Sequence, residues 1–188
     1  MRARKRGFTL TEIAIVLGVI GTILGAIWSA ASHVSNNQEA NKANTQILGI
    51  VQSIRSLYGP KPYFPGAETD ATPQLMNTGA VFGSDMIVSG QTHPVNPFGG
   101  SVAVYTSIVS STTFRVSYYN VTAAQCNQVA DSIATQSASA SAPLSLITAC
   151  GATVTNLTTT PLDPLGIESV CNANTGAACQ SVEFDFSL

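Results

Sequence analysis

The sequence predicts an α+β protein in which one long N-terminal helix packs against an antiparallel sheet. Three observations predict it. Twenty consecutive residues, Ile13 to Ser32, carry no charge. Behind them, small and aliphatic residues recur at spacings of three and four, the seam of an amphipathic helix. Beyond Pro60 the pattern changes to short alternating segments divided by turn-forming residues, which points to strands.

The helix is justified first. Twenty mostly apolar residues span roughly 30 Å as a helix, the thickness of a bilayer core. Ala40, Ala43, Ile47, Ile50, Ile54 and Leu57 then form one apolar stripe, with Asn41, Lys42, Asn44, Gln46, Gln52 and Arg55 among the residues between them. Gly59 and Pro60 supply the stop signal. A continuous helix from about Phe8 to Tyr58 is expected, roughly 77 Å at 1.5 Å per residue. Its first half is apolar all round and its second half has one sticky face.

Charge fixes the orientation. Of eight Lys and Arg, four are Arg2, Arg4, Lys5 and Arg6, and no acid precedes Glu12. From Phe8 onward, four basic residues face ten acidic ones, a net of −6. A cationic tip ahead of an apolar span holds the N-terminus in the cytoplasm, so the rest faces the other side. Charged residues are only 10% of the chain, which excludes a disordered charged tail and a nucleic-acid binder with a broad basic face. A cleavable signal peptide ending near Ser29-Ala30-Ala31, leaving a secreted binding module, is one alternative, and a plain single-pass anchor is another. The apolar run exceeds the usual 7–15 residues of a signal peptide. It also carries Glu12 near its start, and an acid in hydrocarbon is usually functional.

Gly7-Phe8-Thr9-Leu10-Thr11-Glu12, behind a basic leader and ahead of an apolar helix, resembles the type IV prepilins and the related type II secretion pseudopilins. The resemblance implies the type IV pilin fold. It divides the chain into a leader (1–7), a membrane and filament-core half-helix (8–32), an amphipathic half-helix (33–58) and a globular head (59–188). It further implies cleavage after Gly7 by a prepilin peptidase, and methylation of the new Phe8 amine. The apolar helix would pack into a filament core, fed by an inner-membrane assembly platform and its ATPase. Localisation follows: inner membrane as prepilin, with a periplasmic head, then an extracellular pilus. Glu12 fits that scheme. Cleavage leaves the Phe8 amine about one helical turn away, and a buried carboxylate needs a cationic partner. That amine, its own or a neighbouring subunit's, could set the axial register of assembly. Gly18, Gly21 and Gly25 weaken the same helix by roughly 1 kcal/mol each relative to Ala and permit close helix packing.

In the head, Pro60 to Gly66 and Thr92 to Gly100 read as loops. Ser101–Val109 and Thr113–Asn120 alternate as strands, with Phe114, Val116 and Tyr118 on one face. Thr122 and Gln125 fit a capping box for a helix to about Thr135. Ser137–Ser145 reads as a Ser/Ala-rich surface stretch, Ile167–Cys171 as a helical turn, and Ser181–Phe186 as a closing strand. All four cysteines, Cys126, Cys150, Cys171 and Cys179, lie here. An even count outside the cytoplasm reads as two disulfides, and spacing leaves three connectivities open. Asn96-Pro97-Phe98-Gly99-Gly100 before a hairpin, then Ala124-Gln125-Cys126, looks like the type IVb pilins. That likeness implies Cys126–Cys171, leaving Cys150–Cys179, in a disulfide region of about 126–179.

No chemistry is expected. The chain has no nucleophile elbow, phosphate loop, zinc-protease motif or dinucleotide fingerprint, and its two histidines, His33 and His93, are read as solvated or structural. No cofactor, metal or specific nucleic-acid site is anticipated, and the partners are identical or related subunits. A fibre serving adhesion, aggregation, DNA transfer or motility is the expected role, with a type II secretion pseudopilin as the alternative that the resemblance leaves open.

Overall fold

A computed structural model describes residues 9–59, 69–106, 112–139, 144–149, 152–154, 164–172 and 180–188. The expected Pro60–Gly66 loop, residues 107–111 at the end of and just after the predicted Ser101–Val109 strand, and the Cys150 and Cys179 positions lie outside these residues. The chain divides into two compact units, 1–38 and 39–188.

Helix α1, Leu10–Tyr58, contributes to both. In the first unit every described side chain from Thr9 to Gln38 is exposed. In the second unit its apolar stripe is buried as the spacing requires, with Ala40, Ala43, Ile47, Ile50 and Ile54 in the core. Val51 and Asn44 are buried beside them. The stripe ends one turn earlier than expected, because Leu57 is 43% exposed. At the helix end the Gly59 N–H donates to the Arg55 carbonyl over 2.7 Å, and Arg55 itself donates to the Ser187 carbonyl at the chain's far end (2.6 and 3.2 Å).

A short helix, α2 (Thr72–Thr78), follows. Pro73 stands in its first turn, and the Asp70 carboxylate accepts from the Thr72 N–H over 2.9 Å. Proline near a helix start is the ordinary local cause, and this helix is an addition to the elements expected from the sequence. The strand reading holds for β1 (Val102–Thr106) and β2 (Thr113–Tyr119), which pair antiparallel. Their approach depends on the preceding loop. Asn96 is buried, takes N–H bonds from Phe98 and Gly100 on Oδ1, and donates to the Tyr119 carbonyl. A Cβ at Gly100 would overlap that same carbonyl, so only glycine lets the loop lie this close.

Helix α3 runs Ala123–Ser139, four residues beyond the expected end. Its capping box forms: Thr122 donates N–H and O–H to Gln125 Oε1 at 3.0 Å each. Two strands absent from the sequence expectation come next, β3 (Leu144–Ala149) and β4 (Ala152–Val154), the first beginning at the end of the Ser137–Ser145 stretch expected at the surface. Helix α4 (Pro164–Asn172) is longer than the single turn expected. The last strand, β5 (Ser181–Ser187), is central rather than closing. The five-stranded sheet has the order β1-β2-β5-β3-β4, antiparallel throughout.

Register explains why β5 belongs in the middle. Phe184 lies between Val116 of β2 and Ile147 of β3, Phe186 between Phe114 and Leu144, and Val182 between Tyr118 and Ala149. All nine are buried. An edge position would expose one flank of each aromatic ring, forfeiting part of the roughly 1.5–3 kcal/mol that burying such a side chain contributes. On the other face of β5, Asp185 receives a two-pronged contact from Arg115 (2.7 and 3.1 Å), and Glu183 pairs with the same guanidinium at 3.2 Å. Directly opposite partners of unlike charge favour this register.

Candidate assembly site

The first turn of α1 holds the acid that the sequence singles out. Thr9 and Glu12 form a reciprocal cap: Glu12 Oε2 accepts from the Thr9 N–H at 2.8 Å and its O–H at 2.9 Å, while Thr9 Oγ1 receives the Glu12 N–H at 3.4 Å. This is the Thr-x-x-Glu capping box. Thr9 and Glu12 carry the same spacing in the sequence as Thr122 and Gln125, so this cap is legible there although it is not among the expectations above. Among the described residues no cation approaches Glu12. Gly7 and Phe8, the expected cleavage and methylation positions, lie outside the described residues.

Behind that cap the helix offers apolar surface in every direction. Leu10, Ile13, Ile15, Val16, Leu17, Val19, Ile20, Ile23, Leu24, Ile27 and Trp28 are all large, apolar and exposed. Gly18, Gly21 and Gly25 would meet nothing within 4 Å if given a Cβ. Nothing inside this unit demands glycine there, so their small size is available to whatever packs against the helix. One helix here is long and apolar enough to cross a membrane.

The disulfide end of the head is the second expected feature. Cys126 in the first turn of α3 is bonded to Cys171 in the last turn of α4, with Cα atoms 5.8 Å apart and both residues buried. This is the pairing that the resemblance implied. The companion Cys150–Cys179 bond lies outside the described residues. Between α3 and α4 runs a groove of about 430 Å³, lined by Ala124, Asn127, Gln128, Asp131, Ile167 and Glu168.

Among the described residues no three His, Cys, Asp or Glu side chains gather as a metal cluster. His93 is committed to local structure: Nε2 meets Asp70 at 2.9 Å and Nδ1 meets the Thr92 hydroxyl at 3.0 Å. Partial burial pushes the Asp70 carboxyl up, but hydrogen bonds from Thr72 and His93, with the His93 charge, outweigh it and hold the group below its ordinary value. Burial raises the Tyr118 phenol in the core well above its usual range.

An all-round apolar helix tipped by one capped acid, followed by a disulfide-stapled α+β head, is the architecture of a type IV pilin. Residues 37–183 match the family described as PilS N terminal, and residues 2–28 match the prokaryotic N-terminal methylation motif. The toxin coregulated pilin of Vibrio cholerae is 26% identical over 133 residues, which is 69% of this chain. The chain spans 58% of the length of that relative. A crystal structure of TcpA, a type IV pilin from the V. cholerae El Tor biotype, superposes with a TM-score of 0.54 at 18% identity, over 79% of this chain and 98% of that one. A type IVb pilin from Salmonella typhi gives 0.48 at 19% identity, over 78% and 96%. The chain belongs to the PilS family of type IV pilins.

Proposed function

We propose that this chain is the structural subunit of a type IVb pilus, made as an inner-membrane prepilin, cleaved after Gly7 and methylated at Phe8. A prepilin peptidase performs the processing, and an assembly platform with its ATPase moves the subunit from membrane to fibre. The observation that carries the reading is the state of the first unit: a helix with no buried described side chain and a single carboxylate at its tip. Such a surface must be covered by lipid or by other helices. In lipid it is an anchor, and against its own copies it is a filament core. The methylation-motif match over residues 2–28 supports the processing step. The fibre then serves adhesion, aggregation, DNA transfer or motility.

Replacing Glu12 with alanine tests the assembly role. The variant should be cleaved normally and remain in the membrane, yet be lost from sheared fibres. Normal piliation by Glu12→Ala overturns the pairing of Glu12 with the Phe8 amine. Gly7→Val should accumulate as uncleaved, membrane-bound chain. A mature-length product from that variant would overturn the cleavage assignment.

A further inference from the structure

Trp28 stands apart from the rest of α1. It is the chain's only tryptophan, and at 82% exposure it is among the least covered large apolar residues of the described helix. It also marks a change of composition. From Ile13 to Ile27 large aliphatic residues point in all directions, whereas from Ser29 to Gln38 Val34 is the one large aliphatic residue and the rest are alanine or polar. An indole has a large apolar body and one N–H donor, and it partitions to the boundary between headgroups and hydrocarbon.

Distances along the helix agree with that placement. Leu10, the first helical residue, precedes Trp28 by 18 positions, about 27 Å of rise. A hydrocarbon layer of about 30 Å measured inward from the indole therefore ends within a residue or two of the helix start, beside the Gly7–Phe8 bond in sequence. Glu12, 16 positions from Trp28, falls about 6 Å inside that boundary. The four cations of the leader follow immediately, where anionic headgroups attract them.

We propose that Trp28 docks in the headgroup region of the outer leaflet and sets the depth of the helix, holding its start at Leu10 near the cytoplasmic boundary. The inference rests on the membrane-inserted reading above and adds its register. A cationic clamp on one side and an aromatic clamp on the other, about one bilayer core apart, fix the helix along the membrane normal. Without the aromatic clamp, the weakly polar Ser29–His33 stretch would define no sharp outer stop.

Because the indole is unique, its fluorescence reads its own depth. The full-length chain is reconstituted in vesicles of phosphatidylethanolamine and phosphatidylglycerol. Spin labels are carried in turn on the headgroup, near the top of the acyl chain, or at the chain end. The headgroup and upper-chain labels should quench Trp28 most strongly and the chain-end label least. Strongest quenching by the chain-end label overturns the proposal while leaving membrane insertion intact. If the chain does not float with the vesicles, both the proposal and the membrane reading fall. A second variant separates anchor from passenger: Trp28→Ala combined with Leu24→Trp moves the indole one turn, about 6 Å, toward the cytoplasm. Shallow quenching should persist, because the helix shifts outward with its anchor. Deep quenching would show an indole that merely reports a depth set elsewhere, and the proposal would fail.

Discussion

Breaking the Cys126–Cys171 bond should lower the melting temperature of the head by a predictable amount. The two cysteines are separated by 45 residues, a loop that contains most of α3, all of β3 and β4, and nearly all of α4. In the chain-entropy account, closing a loop of that length removes about 13 cal/mol/K from the unfolded ensemble, or about 4 kcal/mol at 25 °C. The unit concerned, 39–188, is in the size range where each kcal/mol moves Tm by about 2–4 °C, so the drop should be roughly 8–16 °C. The assay is thermal unfolding followed by circular dichroism on full-length chain in detergent, comparing wild type with Cys126→Ala/Cys171→Ala. Each single variant should lose nearly as much as the double, because either change breaks the same bond. A double variant melting within about 3 °C of wild type would refute the claim that this link constrains the unfolded chain.

Phe184→Ala, at the centre of the nine-residue core row, should cost about 3–5 kcal/mol in urea unfolding; a loss below about 1 kcal/mol would mean that β5 is not the buried middle strand. The Asp70–His93 contact should make stability sensitive to acid. Asp70 is held below its ordinary value of 3.8, so its contribution is complete above that pH and disappears as the pH falls through the lower native value. Asp70→Asn should therefore lower the urea midpoint near neutral pH, by the equivalent of about 1 kcal/mol for a partly exposed pair. The gap from wild type should narrow as the pH falls below 3.8 and close once it passes the lowered native value. A gap that persists or widens in acid would contradict the assignment.

The two helical patterns in the sequence were legible because each depends on local chemistry. Ala40, Ala43, Ile47, Ile50 and Ile54 announce a buried stripe by spacing alone, and Thr122 with Gln125 announces a helix start by side-chain reach. Alternation in Phe114–Tyr118 and Val182–Phe186 likewise marks the faces of β2 and β5 correctly. What alternation cannot carry is order. The last strand is inserted between β2 and β3 because two flanking rows of apolar residues cover it from both sides, and that pairing joins positions far apart in the chain. Strand β3 is hard to read because Leu144-Ser145-Leu146-Ile147-Thr148-Ala149 follows a Ser/Ala-rich run and its register with β5 shifts between Leu144 and Leu146, which breaks the alternation. Its Ser145 hydroxyl donates to the Asp185 carbonyl over 2.9 Å, a tertiary contact with no local trace. At the assembly site, Glu12 stood out by its cost in hydrocarbon. Thr9 is less legible because a carboxylate beside an apolar run calls for a cation as readily as for the N–H groups of its own helix start.

That cap bears on what drives the proposed transfer from membrane to fibre. Lipid tails are as apolar as the leucine and isoleucine side chains of α1, so replacing lipid by neighbouring helices gains little hydrophobic free energy. Apolar area alone therefore cannot favour the fibre. The discriminating terms are polar and steric. A carboxylate in a bilayer costs about 2.5–3.5 kcal/mol at mid-depth and less near the surface. Thr9 already satisfies Oε2 of Glu12, which lowers the cost of waiting in the membrane. Among the described residues Oε1 has no such partner, and a charge-assisted contact with a newly made amine is stronger than a neutral one. Gly18, Gly21 and Gly25 act in the same direction, because backbones that approach closely gain dispersion contacts that fluid lipid cannot match. In the proposed fibre the acid and the small residues would thus favour neighbouring helices over lipid, while the oily residues around them would make both environments habitable.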